Sequence, residues 1–167
     1  EGFLKTLVVE EEYLAIIVAD LGLVAADNLK LRIDYILGDF DSVHPKLLSK
    51  YKESTTIVKT FPSKKDKTDT ELALELALEK NPTKIDIVGA TGTRMDHTMA
   101  NIDILAMAMD KNVDASIIDR NNRIYIKNNS FRIKKEKQYG DYISLLPYTH
   151  EIKELTLKGF KYPLDSV

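Results

Sequence analysis

The chain contains no cysteine, which removes disulfides, thiolate nucleophiles and zinc-thiolate sites from its chemistry. No uncharged apolar run approaches the length of a membrane span, and the first residues lack the basic, apolar and small-residue order of a signal peptide. A cytoplasmic protein with no membrane partner is the expectation. Charge of one sign is also not in excess. The 24 Lys and Arg against 26 Asp and Glu leave a formal net charge of -2, and the basic residues are spread along the chain, so no nucleic-acid partner is expected. The sequence opens on Glu-Gly rather than Met and stops at Leu164-Asp165-Ser166-Val167 without a closing element; the expectation is that one or both ends are missing.

What is present is ordinary for a folded protein: 167 residues, 44% hydrophobic and 30% charged, enough to bury a core in one domain or two small ones. The most informative stretch is Leu37-Gly38-Asp39-Phe40-Asp41-Ser42. In an extended chain alternate side chains share a face, so Asp39 and Asp41 would aim at one small volume. Two like charges that close imply either a protonated carboxyl or a cation between them, and hard oxygen ligands suit Mg²⁺. The competing reading is a turn, since Gly, Asp and Ser are turn formers.

In chain order, Leu14 to Ala19 is a continuous apolar run ending at Asp20 and followed by Gly22, the pattern of a strand buried on both faces in a parallel sheet. Leu23 to Leu31 is weakly helical, Asp34 to Leu37 is the next strand, and Pro45 to Tyr51 is a short helix with proline in its first turn. Thr56 to Lys59 is a third strand. It leads through Pro62 and Ser63 to Lys64-Lys65-Asp66-Lys67-Thr68-Asp69-Thr70-Glu71, where Thr68 and Glu71 have the spacing of a capping box before a helix over Leu72 to Lys80. Asp66 and Asp69 are there either as favourable charge at a helix start or as ligands. Lys64, Lys65 and Lys67 belong to a solvated loop or meet phosphates.

Ile85 to Val88 is another strand, running into Gly89-Ala90-Thr91-Gly92-Thr93-Arg94-Met95-Asp96-His97. A glycine-containing turn between strand and helix presents backbone N–H groups to an anion, and Arg94 adds a planar cation suited to phosphate. This is neither a Walker loop nor Gly-x-Gly-x-x-Gly. A helix is expected from Asp96 to about Asp110, with Met99, Ile102, Leu105, Ala106 and Met109 on its apolar stripe and His97 one turn from Asn101. His97 is read as a structural hydrogen-bonding residue before a catalyst, and no serine sits on a strained elbow to make a hydrolase triad.

After Ala115 to Asp119 the pattern changes. Arg123 to Lys127, Phe131 to Lys134, Tyr142 to Leu146 and Leu155 to Lys158 are short alternating segments separated by turn residues, an antiparallel β pattern. The predicted organisation is therefore an α/β domain over residues 1–119, with an open, mainly parallel sheet and flanking helices, followed by a small antiparallel β-sandwich domain over residues 120–167 that is cut short.

Taken together, the blocks at Ala19-Asp20-x-Gly22, Gly38 to Ser42, Asp66 to Glu71, Thr91 to His97 with Asn101, and Lys158-Gly159-Phe160-Lys161-Tyr162-Pro163-Leu164 resemble the thiamine pyrophosphokinase family in order and spacing. The resemblance covers nearly the whole chain from Ile16 onward. It implies an enzyme that moves the β,γ-pyrophosphoryl group of ATP to the hydroxyethyl group of thiamine, giving thiamine diphosphate and AMP, with Mg²⁺ and a homodimer whose thiamine sites lie between subunits. A short β domain with apolar faces to cover also favours a dimer. By motif, Asp39, Asp41 and Asp69 correspond to Mg²⁺-binding carboxylates, with Asp20, Gly22, Asp66 and Thr68 near the same polyphosphate. Thr91, Gly92, Arg94, Asp96 and His97 correspond to the nucleotide loop.

The chain departs from the family pattern at several points. Leu21 and Thr93 stand where glycines are common and Ile33 where proline is frequent. The family's first strand is at most dimly present in Leu4 to Val9, and a Ser-Asn motif on the thiamine side is absent after Leu164. The alternatives are a Mg²⁺-dependent nucleotide hydrolase, an ordinary monophosphate kinase, and a nucleotide- or thiamine-binding module without catalysis.

Overall fold

The computed structural model describes every residue except Glu1, Ser63, Lys65 and Val167, and the side chains of Val9 and Glu10 are likewise outside the description. Two compact units divide the chain, residues 1–131 and 132–167.

In the first unit α1 (Gly2–Glu10) precedes β1 (Ile17–Ala19), α2 (Gly22–Asn28), β2 (Tyr35–Gly38), α3 (Pro45–Lys52) and β3 (Ile57–Thr60). There follow α4 (Asp69–Leu78), β4 (Lys84–Val88), α5 (Met95–Asp103), α6 (Leu105–Asp110), β5 (Asp114–Ile118) and β6 (Arg123–Ile124). The alternation of strand and helix gives the α/β class that the sequence predicts, and among the described residues the strands form two sheets of three. The first, β1-β2-β3, is parallel throughout, with Ile17 opposite Tyr35 and Tyr35 opposite Ile57. In the second, β4 and β5 are parallel and β6 is antiparallel to β5.

The apolar runs explain the packing. Along β2, Ile36 joins Val18, Leu23, Ala26, Phe40, Val43 and Tyr51 in a core beneath α2 and α3. Its neighbour Leu37 faces the other way, toward Leu72 and Leu76 of α4, so the strand is covered on both sides. The Tyr51 hydroxyl donates to Asp27 Oδ1 at 2.8 Å and ties α3 to α2; burial and this carboxylate push the phenol up to about 12. On the second sheet, Leu74 and Leu78 of α4 pack with Ala108, Ile85, Ile87 and Ala115. A helix lying against β1 and β2 thus also covers the second sheet.

Several expectations change. Leu4 to Val9, where the family's first strand is expected to be absent or only dimly present, lies in α1, so of the two it is the absence that holds among the described residues. The single helix predicted from Asp96 to Asp110 is two, meeting at Ile104, where Met107 N–H bonds the Ile104 carbonyl at 3.0 Å in a tighter turn. The sequence pattern changes near Arg120, yet β6 pairs with Ile117 and Ile118 and so belongs to the first unit. In the second unit the segments expected as antiparallel strands form no named strand among the described residues, where one turn of 3-10 helix lies at Lys135–Lys137. The antiparallel pairing described there is the bridge between Leu157 and Leu164, whose two backbone bonds close the loop containing Gly159 to Pro163.

Candidate active site

Parallel strands deliver their carboxyl ends to one edge of a sheet, where open α/β folds place their ligands. At this edge β1 ends in Asp20, β2 in Asp39 and Asp41, and β3 in Phe61 and the loop to Asp69. Asp20 N–H donates to the Leu37 carbonyl at 2.9 Å, and Phe61 N–H to the Gly38 carbonyl at 3.0 Å, so the three chain segments leave the sheet side by side. Gly38 permits this. A Cβ there would lie 3.3 Å from the Asp20 backbone, and its φ of 151° disfavours any side chain.

The acidic pair does not continue the strand. β2 stops at Gly38 and Phe40 turns to a left-handed φ of 62°, burying its ring in the core while Asp41 stays exposed. Asp39 Oδ1 accepts the Asp41 N–H at 3.1 Å, so the turn reading describes the backbone, and the alternation that would have pointed both carboxylates to one face is broken by Phe40. Asp69 is the first residue of α4, after Thr68, whose hydroxyl accepts the Glu71 N–H at 3.1 Å as its spacing predicts. Among the described residues no group of three or more His, Cys, Asp or Glu could hold a metal ion. Asp39 and Asp41 flank the left-handed turn at Phe40, and Asp69 stands at the helix start. Their chemistry still suits Mg²⁺, which takes one or two carboxylates and completes its shell from phosphates and water.

Asp66 and Lys64 are exposed, Lys67 pairs with Glu75 on α4, and Lys65, like Ser63, lies outside the described residues. Gly22 opens α2, where a Cβ would make only ordinary contact with Val18. Leu21 is 53% exposed, so a side chain in place of glycine crowds nothing there.

On the second sheet β4 leads into Gly89, at φ 74°, and the loop to α5. Asn101 Nδ2 donates to the Ala90 carbonyl at 2.8 Å and pins the loop to α5. Gly92 N–H reaches Thr98 Oγ1 at 3.4 Å, which engages one of the backbone donors expected to face an anion. Arg94 and Asp96 are both exposed and face each other in a two-bond pair, Nε to Oδ1 at 3.2 Å and Nη2 to Oδ2 at 2.5 Å. The guanidinium holds the Asp96 carboxyl below the usual range, and the carboxylate raises Arg94 in return. His97 is exposed in the first turn of α5. Sequence reasoning passed over Asp119. It closes β5 and accepts the Thr91 hydroxyl at 2.9 Å; the strand-end Asp before Asn121-Asn122 was the available signal.

These loops define an open α/β protein whose acidic and glycine-bearing turns follow the carboxyl ends of parallel strands. Residues 8–118 match the family described as "Thiamin pyrophosphokinase, catalytic domain" and residues 128–167 that described as "Thiamin pyrophosphokinase, vitamin B1 binding domain". The chain belongs to the thiamin pyrophosphokinase family. It is 38% identical over 130 residues to the thiamine pyrophosphokinase of Bacillus subtilis, an alignment covering 77% of this chain and 60% of that protein. The chain thus spans less than two thirds of that curated relative's length. A crystal structure of thiamine pyrophosphokinase from Bacillus subtilis superposes with a TM-score of 0.85 at 34% identity, over 98% of this chain and 76% of that one. The thiamin pyrophosphokinase of Geobacillus thermodenitrificans gives 0.77 at 26% identity, over 98% and 75%. Among the described residues no helix is long and apolar enough to cross a membrane.

Proposed function

We propose that the chain is an ATP:thiamine pyrophosphotransferase acting with Mg²⁺ as a cytoplasmic homodimer, residues 1–119 together with β6 forming its catalytic domain and the later residues its thiamine-side β domain. The supporting observation is the delivery of Asp20, Asp39 and Asp41 by adjacent parallel strands in a chain that matches both family domains. Transfer to the thiamine hydroxyl is an in-line displacement, so the protein's work is positioning and charge neutralisation. Asp39 and Asp41, with Asp20 and Asp69, would supply the hard oxygens that hold Mg²⁺, and the ion when bound would offset polyphosphate charge. Arg94 exchanges its Asp96 partner for phosphate oxygens and keeps a planar two-point contact in doing so. Thr91, Gly92, His97, Gly22, Asp66 and Thr68 line the nucleotide side.

The test is product analysis on the full chain with Mg²⁺, ATP and thiamine. AMP release that requires thiamine supports the reading. AMP without thiamine assigns a hydrolase, ADP assigns a monophosphate kinase, and binding without turnover assigns a module. Asp39→Asn and Asp41→Asn are each expected to lose about 100-fold in turnover at limiting Mg²⁺ while the urea midpoint barely moves; normal rates would remove both from the metal site.

A further inference from the structure

The loop after β4 has a fixed hydrogen-bond polarity. Asp119 Oδ1 accepts the backbone N–H groups of Asn121 and Asn122, both at 2.7 Å, and Asn122 Nδ2 at 3.1 Å. Its Oδ2 takes Asn122 Nδ2 at 3.2 Å and the Thr91 hydroxyl at 2.9 Å. Burial alone would raise this carboxyl, but the surrounding donors outweigh it and hold it below the usual range. An ionised carboxylate can only accept. The hydrogen in the Thr91–Asp119 bond is therefore the threonine's, and a hydroxyl has only one. Whatever approaches Thr91 Oγ1 from the ligand side meets lone pairs.

We infer that Asp119 is a positioning residue that fixes Thr91 as an acceptor, so that Thr91 receives an O–H or N–H of the nucleoside, a ribose hydroxyl or an exocyclic amine, rather than a phosphate oxygen. A phosphate oxygen there would set lone pair against lone pair. The inference deepens the proposed function and rests on the loop being the nucleotide segment. It also divides labour within the loop: Arg94 suits the phosphates, and Thr91, three residues earlier, reads the sugar or base.

The experiment is calorimetry on the full chain with Mg²⁺ and ATP, 2′-deoxy-ATP, 3′-deoxy-ATP, inosine triphosphate or inorganic triphosphate, with AMP release measured alongside. One of the three nucleoside analogues is expected to bind about tenfold more weakly than ATP, and its identity separates ribose from amine. That difference should vanish in Thr91→Val, persist in Thr91→Ser, and shrink in Asp119→Asn, whose amide donates to Thr91 and releases the threonine hydrogen. Inorganic triphosphate should bind wild type and Thr91→Val alike. The inference is overturned if all three analogues bind wild type as ATP does, if Thr91→Val leaves their ratios unchanged, or if Thr91→Val weakens triphosphate itself. ATP failing to bind would sink both readings. The expected analogue pattern without thiamine-dependent AMP would sink only the enzymatic one.

Discussion

Asp86 and Asp96 lie ten residues apart on either side of the β4 loop, both ion-paired and both held below the usual carboxylate range, yet they do opposite work. The Asp86 side chain is 1% exposed. It accepts the Tyr13 hydroxyl at 2.7 Å, Ser116 Oγ at 3.0 Å and Lys84 Nζ at 2.9 Å, with Arg123 at 3.7 Å. Burial alone would raise Asp86, but Lys84, Tyr13 and Ser116 more than offset it. Asp96 stands in solvent at 64% exposure, holding one guanidinium. In both, a cation and its hydrogen bonds depress the carboxyl, and burial decides what the pairing is for. Inside, removing the charge strands its partners; outside, the pair separates cheaply and can exchange for a ligand.

Substitutions can break or sharpen that contrast. Asp86→Ala is expected to have the largest effect, about 3 kcal/mol of stability lost by urea unfolding, the lower end for a broken buried pair because Lys84 can reach water. Acid should act the same way. The Asp86 contribution is fully present above its unfolded value, about pH 4, and is lost as pH falls through the lower folded one; an Asp86→Asn variant should show a flatter stability profile below pH 4. Arg94→Ala should reverse the balance, with thiamine-dependent turnover down about 100-fold and the unfolding midpoint unmoved. An Arg94→Ala variant that unfolds early would erase the distinction. At the β2 edge Gly38→Ala is expected to cost about 2 kcal/mol through overpacking against Asp20, read as a shifted urea midpoint. Thr68→Ala should cost least, about 1 kcal/mol for the lost α4 cap, by the same measurement.

Local patterns carried much of this in the sequence. The apolar runs marked β1 to β5, Pro45 marked α3, and Thr68 with Glu71 marked the start of α4, because burial on both faces and helix capping act over a few residues. What stayed hidden depends on contacts across the fold. The left-handed turn at Phe40 follows from burial of its ring among Val18, Leu23 and Ile36, which no hexapeptide reveals. Asp86 reads as a polar residue in an apolar strand until Ser116 and Tyr13, 30 and 73 residues away, are brought to it. The Thr91 and Asp119 pair is likewise a product of β4 and β5 lying side by side. In the second unit, alternation pointed to antiparallel strands, and the bridge between Leu157 and Leu164 is the pairing described there.

The helix α4 lies against β1 and β2 and sends Leu74 and Leu78 among the side chains of β4 and β5. Lifting it would bare apolar surface on both sheets in a single event. The backbone amides of β2 and β5 are therefore expected to share an opening reaction, read as matching protection from hydrogen exchange in the two sheets. The loops that follow the two sheets' carboxyl ends are hung from a frame that this one helix joins.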